Sequence, residues 1–423
     1  MEEALISAYA TNATLIAARE ELRAVNEQRP QALAGYRPSL SSFVRAGGDY
    51  EFTANDDEDA ASITAAAGIT LTQPLYRGGR TSAGVSSAES VILAQRERYR
   101  AAEQDILLQA ANAYLDVLRD QTILDLSKKS AAIVGDQVSA FRRQLKAGAA
   151  TKTDLTQGET RLARTEANLA RVEATLAASR AAFVEVTGSQ PERLATPNDV
   201  RYAMPPSLAD LELLALQSNL AIKAAAFTEI AARHDVDVAN GWTGPDVDLV
   251  GSVQYFSEAT DESVDLDDDF AAASVELRLT LPLYEGTYGS RSRQSKRTAD
   301  QRRAEVQSTR RSVERQAASA WEDWTSSRTQ IERLTKGVDL AETALDGLVK
   351  EHRLGERTAL DLLNGEQELL DVSIELARAK RDHLAARFQA LSLLGSFTVD
   401  GLKLDTQSYD IEADFRAVRD AWF

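Results

Sequence analysis

The sequence predicts a mixed, mainly α fold in which long antiparallel coiled-coil hairpins are joined to four amphipathic β-strands, the whole arising by internal tandem duplication. Three observations predict it. Small or apolar residues return every seventh position through Ala110, Val117, Leu124, Ala131, Val138 and Leu145, with a second register through Ile106, Ala113, Asp120, Ser127, Val134 and Phe141; an a/d seam this long belongs to a coiled coil. Short segments alternate apolar and polar side chains and stop at Pro-Leu-Tyr. Four punctuating motifs of the first half recur in the second at a nearly constant offset.

Taken in order, residues 4–28 are rich in Ala, Glu, Arg and Leu and free of Gly and Pro, which predicts a helix over 2–29 that ends by Pro30. Strands are expected at 36–53 and 61–76, on either side of an acidic loop, Asn55 to Asp59. In the second, Ile63, Ala65, Ala67, Ile69 and Leu71 share one face, and Ser62, Thr64, Gly68, Thr70 and Thr72 the other. A long helix over 81–147 would reach about 100 Å at 1.5 Å per residue. It reverses at a tip, 148–155. From the end of the tip into the return helix, 156–188, Leu155, Leu162, Leu169, Leu176 and Phe183 repeat the seven-residue spacing. A connector at 189–206, with several prolines, completes a first repeat of 1–206.

The second repeat, 207–423, follows the same plan: helix 207–240, strands 246–257 and 270–284, long helix 287–354, tip 355–362, return helix 363–395 and a tail, 396–423. Asn12 to Ala18 aligns with Asn219 to Ala225, Pro38 with Pro245, Leu71 to Tyr76 with Leu279 to Tyr284, and Gly148 to Leu155 with Gly355 to Leu362. Each match is short, and their shared offset is what implies duplication.

Composition narrows the function classes. The chain lacks cysteine, which excludes disulfides, thiol catalysis and Cys-ligated metals. A net charge of −17 argues against nucleic acid as a partner. No apolar run approaches the length of a transmembrane helix. Met1 is followed by two glutamates where a signal peptide carries basic residues, so none is expected in this chain. His234 and His383 are lone helical histidines without metal-ligand spacing, and Arg77-Gly78-Gly79-Arg80 is a strand-to-helix turn rather than a phosphate loop. No cofactor is expected, and no enzyme.

The strands need a different partner from the helices, whose apolar seams are already committed to one another. Val275, Leu277, Leu279 and Leu281 face one way, and Ser274, Glu276, Arg278 and Thr280 the other. Four strands cannot close a barrel alone, and the smallest membrane barrels need about eight, so the pattern points to a barrel shared between subunits. Tyr50, Phe52, Tyr255, Phe256 and Phe270 lie near the end of the acidic loops, Asn55 to Asp59 and Thr260 to Asp269, where an interfacial aromatic girdle would stand. A soluble coiled-coil scaffold or periplasmic adaptor is the alternative. It accounts for the heptads and leaves the amphipathic strands unexplained.

The duplicated plan, the exits at Pro74 to Tyr76 and Pro282 to Tyr284, and two Gly-x-x-Thr-x-x-Asp-Leu tips at Gly148 and Gly355 make the chain resemble the TolC family of outer-membrane factors. The resemblance runs from Glu3 to about Leu394. It implies a homotrimer in the outer membrane of a Gram-negative bacterium. Four strands per chain would complete a twelve-stranded transmembrane β-barrel, continued by an α-helical barrel across the periplasm. It also implies export of drugs or type I secreted polypeptides, with a periplasmic adaptor (membrane fusion) protein, an inner-membrane RND or ABC transporter, and outer-membrane lipid as partners.

The resemblance places functional residues at the tips. A gate latch would join Arg357 to Thr153 and Asp154; read from the residues alone, Asp154 simply caps its helix. His352 stands where members carry a tyrosine linking to the opposite hairpin, and the implied hypothesis is a pH-sensitive gate; the plain reading is a seam residue. Asp361 matches one position of an acidic constriction ring, whereas Asn364 replaces the acid expected one turn later. Gly148 and Gly355 mark the expected adaptor contacts.

Overall fold

The computed structural model describes residues 1–51, 60–148, 150–192, 194–197, 204–260 and 270–422. The loop Asn55 to Asp59, nearly all of Thr260 to Asp269, Phe52 and part of the connector lie outside the described residues. Two compact units form, each drawing on both halves of the sequence: Met1–Glu20, Glu97–Lys223 and Ser308–Tyr409 in one, and Glu21–Arg96, Ala224–Gln307 and Asp410–Phe423 in the other.

The second unit holds the strands. β1 (Ser39–Glu51), β2 (Ala60–Arg77), β3 (Asp246–Thr260) and β4 (Phe270–Thr280) make one antiparallel sheet in that order. The registers Ser41↔Thr70, Thr70↔Ser252 and Ser252↔Ser274 line up hydroxyls on one face. There the Ser252 and Ser274 hydroxyls lie 2.9 Å apart. One residue on, Leu40, Leu71, Gly251 and Val275 form the matching row of the other face. That face is apolar and bare: Val44 is 86% exposed and Val275 78%, so no described residue buries it. β4 ends at Thr280, short of the expected 284, because it borders β3 alone.

Where one helix is expected over 2–29, the chain forms α1 (Glu2–Thr11), α2 (Ala13–Asn26) and α3 (Gln28–Leu33). Asn12 causes the first break. Its backbone is extended, and its Oδ1 accepts from the amides of Thr14 and Leu15 at 3.0 and 3.3 Å, opening α2. Its Nδ2 donates to the Val186 carbonyl at 3.1 Å. The second half does the same. Asn219 divides the helix expected over 207–240 into α6 (Leu208–Ser218) and α7 (Leu220–Gly241); its Oδ1 accepts from the Ala221 and Ile222 amides, and its Nδ2 donates to Leu393 at 3.1 Å. Asparagine competes with the helical ladder by bonding to nearby backbone, and composition alone does not reveal that.

The long helices are α4 (Arg80–Lys146) and α8 (Tyr288–Leu354), 67 residues each, with returns α5 (Lys152–Thr187) and α9 (Ala359–Leu393). In the first unit their seams make the core. Tyr114, Val117 and Leu124 of α4 pack with Leu176 and Phe183 of α5. Val313, Ala317 and Ala320 of α8 pack with Leu211 and Ala215 of α6 and Leu393 of α9. The polar seam residue Asp120, almost fully buried, is held by Arg119 at 2.7 Å and by the Ser179 hydroxyl. In the tail, α10 (Val399–Leu402) is followed by α11 (Ile411–Val418). Asp414 pairs with Arg23 at 2.7 Å and Asp420 with Arg29 at 2.9 Å, while Arg96 meets Glu412 and the Arg37 guanidinium lies over Trp422.

Candidate functional site

The tips are built twice by one device. After α4, Gly148 takes a left-handed φ of 75°; after α8, Gly355 takes 82°. Each position has open space around it, so it is the backbone conformation, not crowding, that calls for glycine. The chain then re-enters a helix through a capping box. The Asp154 amide donates to Thr151 Oγ1 at 3.1 Å, and Asp154 Oδ2 accepts from the Thr151 amide and hydroxyl at 2.9 and 2.7 Å. Thr358 and Asp361 repeat this at 3.2, 3.0 and 2.7 Å. These hydrogen bonds, the one from the threonine hydroxyl first, hold both aspartates below the usual carboxylate range, with Arg357 adding to the effect at Asp361.

The second tip carries more chemistry. Arg357 Nε donates to Glu351 Oε2 at 2.8 Å, and its charged form is favoured mainly by that bond. His352 Nδ1 lies 3.0 Å from the Arg357 carbonyl, and its ring meets Phe141 edge-on with centroids 6.4 Å apart. Phe141, Val134, Ala359 and Leu363 form a small core with Leu155 and Leu162, so the two tips share apolar ground within the first unit. Asn364 Oδ1 accepts from Arg161 at 2.9 Å, another link between the hairpins.

The structure therefore brings His352, Asn364 and the first hairpin together. It holds Arg357 on Glu351 and Asp154 on Thr151; Thr153 is exposed in the first turn of α5. Sequence reasoning missed Glu351 and Arg161. Phe141 was legible as a seam residue, whereas nothing local marks Arg161 as the partner of a residue 203 positions away. Among the described residues no cluster of His, Asp and Glu is arranged to hold a metal ion.

The strand-to-helix exits, in the second unit, are unequal. Pro74 and Tyr76 lie inside β2 and remain paired with β3 across a bulge. Arg80 Nη2 engages both oxygens of Asp246 at 2.7 and 2.8 Å and lies over Trp242, and Arg77 reaches Asp248 at 3.0 Å. Gly78, at φ +60°, lies so near the Gly241 carbonyl that a Cβ would approach to 2.3 Å. Pro282 and Tyr284 fall beyond β4, and Tyr284 is 89% exposed.

A bare amphipathic sheet attached to paired long hairpins defines a channel-forming outer-membrane class, and the comparisons agree. The family model described as outer membrane efflux protein matches residues 5–189 and again 213–396. The outer membrane efflux protein BepC of Brucella suis is 32% identical over 99% of this chain and 90% of its own. The alkaline protease secretion protein AprF of Pseudomonas aeruginosa is 24% identical over 75% of this chain and 67% of its own. Among solved structures, the Campylobacter jejuni CmeC outer membrane channel is similar with a TM-score of 0.82 at 15% identity, covering 98% of this chain and 88% of that one. The chain belongs to the outer membrane efflux protein family, a family of transport channels, and is an outer-membrane protein.

Proposed function

We propose that the chain is the exit duct of a tripartite export machine, a homotrimer in which three four-stranded sheets close a twelve-stranded barrel and the hairpins form a conduit through the periplasm. The observation that carries this reading is the sheet. Both of its faces are exposed in the single chain, one apolar and one polar, and β1 and β4 each pair on one side only. An open edge in lipid leaves backbone groups unsatisfied, and closure with further copies removes it. A soluble scaffold would need to cover the apolar face from within the chain, and no described element does so.

In this reading the cargo, a drug or a type I secreted polypeptide, is delivered by an inner-membrane RND or ABC transporter through a periplasmic adaptor docked near Gly148 and Gly355, and no covalent chemistry takes place. The tips form the gate. Arg357 is shared between Glu351, its partner in this structure, and Thr153 with Asp154 in a latched entrance, while Asp361 and Asn364 line the constriction. Such exposed pairs are weak and screened, which suits a latch that a partner opens.

The test is substitution on the two sheet faces. Val275→Arg puts a charge on the apolar face and is expected to cost about 2–4 kcal/mol near mid-bilayer. Its neighbour Ser274→Arg should be tolerated. Heat-resistant trimer and bilayer conductance, lost in the first and kept in the second, support the duct. Equal behaviour of both variants, or a water-soluble monomeric wild type, removes it.

A further inference from the structure

We propose that the groove between α5 and α9 is a binding site for a compact polyanion, a solute bearing phosphate or several carboxylates. The groove encloses about 490 Å³ and is lined by Arg161, Arg164, Arg171 and Arg378, with Asp371 and Glu375 on the α9 side. Four guanidinium groups thus face two carboxylates, in a chain whose net charge is −17.

Two of the four arginines are oriented without being neutralised. Arg142, Arg302 and Arg381 each have a carboxylate within 4.0 Å. Among the described residues, Arg161, Arg164, Arg171 and Arg378 have none. Two of them rest on neutral amides instead. Arg161 donates to Asn364 Oδ1 at 2.9 Å, and Arg171 to Asn168 Oδ1 at 2.7 Å. An amide oxygen fixes a guanidinium without cancelling its charge and leaves its other N–H groups free. Arginine's planar fork is suited to phosphate and carboxylate oxygens.

The spacing gathers these groups on one face. Arg161, Arg164 and Arg171 fall three and seven residues apart along α5, and Asp371, Glu375 and Arg378 four and three apart along α9, so each set shares one helical face. Asp371 and Glu375 also limit the ligand. A long acidic segment laid along the groove would meet both carboxylates, whereas a compact anion sits among the arginines. Asn364 begins the same α9 stripe. On the duct reading above, on which this placement alone rests, that stripe faces the lumen, and the bound anion would lie on the export path.

Inorganic pyrophosphate is the probe. Calorimetric titration into the detergent-solubilised full chain should show binding that weakens with added salt. It should fall by about tenfold or more in Arg161→Gln/Arg164→Gln, since each variant removes hydrogen bonds to a charged ligand. Arg142→Gln, whose wild-type side chain is paired with Glu159 outside the groove, should bind as wild type does; circular dichroism and oligomeric mass should be unchanged in both variants. No binding by wild type, or equal affinity in the double variant, overturns the site. Single-channel recording separates it from the duct reading. Block by pyrophosphate that disappears in the double variant supports the luminal placement. Binding without block upholds the site and removes that placement, and binding with no conductance from any preparation counts against the duct alone.

Discussion

The two strand-to-helix exits share a Pro-Leu-Tyr sequence and behave differently. At the first, Pro74 and Tyr76 stay within the sheet, and Arg77 and Arg80 lock the turn onto Asp246 and Asp248. At the second, β4 stops at Thr280, and Leu283 and Tyr284 are almost wholly exposed. Strand position explains this. β2 is central and β3 follows it to the turn, whereas β4 is an edge with no described strand on its far side. Duplicated residues take their roles from what lies beside them.

Removing the lock should have the largest effect. Arg80 and Asp246 are largely buried, at 13% and 21% side-chain exposure, so Arg80→Ala removes both close hydrogen bonds to the carboxylate, leaves it only Arg77 at 3.8 Å, and is expected to cost about 3 kcal/mol. Tyr284→Ala at the second exit should leave the stability of the isolated chain unchanged. Chemical denaturation in detergent compares the two, and equal losses would mean that both exits are fastened alike.

The asparagine breaks sharpen the comparison at sites where the halves still agree. Asn219 is buried and Asn12 half-buried. Asn219→Ala, which loses a cap and leaves the Leu393 carbonyl without its donor, should cost about 2 kcal/mol, and Asn12→Ala about 1. The same measurement checks the order, and a larger loss at Asn12 would show that burial does not set the difference.

The smallest effect concerns the tips. Asp154 and Asp361 are held below the usual carboxylate range in the folded chain, so each contributes stability that is present above the unfolded value of about 3.9 and is lost as pH falls through the folded one. Hydrogen exchange at Thr151 and Thr358 should be flat from neutral pH down to mildly acid conditions once corrected for intrinsic rates, then lose protection. Asp154→Asn should weaken that acid dependence at Thr151 only. Large residues at Gly148 or Gly355 are poor probes of docking, because their positive φ strains the turn whatever partner is present.

Much of this was legible from residues close in sequence. The seven-residue period marked Tyr114, Leu124, Leu176 and Phe183 or their neighbours as seam, and they are core. Thr151 with Asp154, and Thr358 with Asp361, could be read as caps because both partners lie within one turn. The breaks at Asn12 and Asn219 were not legible, since each depends on a carbonyl 174 residues away. The partner of Arg161 was hidden for the same reason, and that of Arg357 because Glu351 lies six residues back across the turn.

By itself the sequence determined the periods, the caps, the strand alternation and the duplication, because each follows from the geometry of neighbouring residues along one chain. Tertiary structure alone decided which duplicated exit is fastened, which carboxylate holds Arg357, and which arginines are left without one, because those outcomes depend on elements that the fold brings side by side.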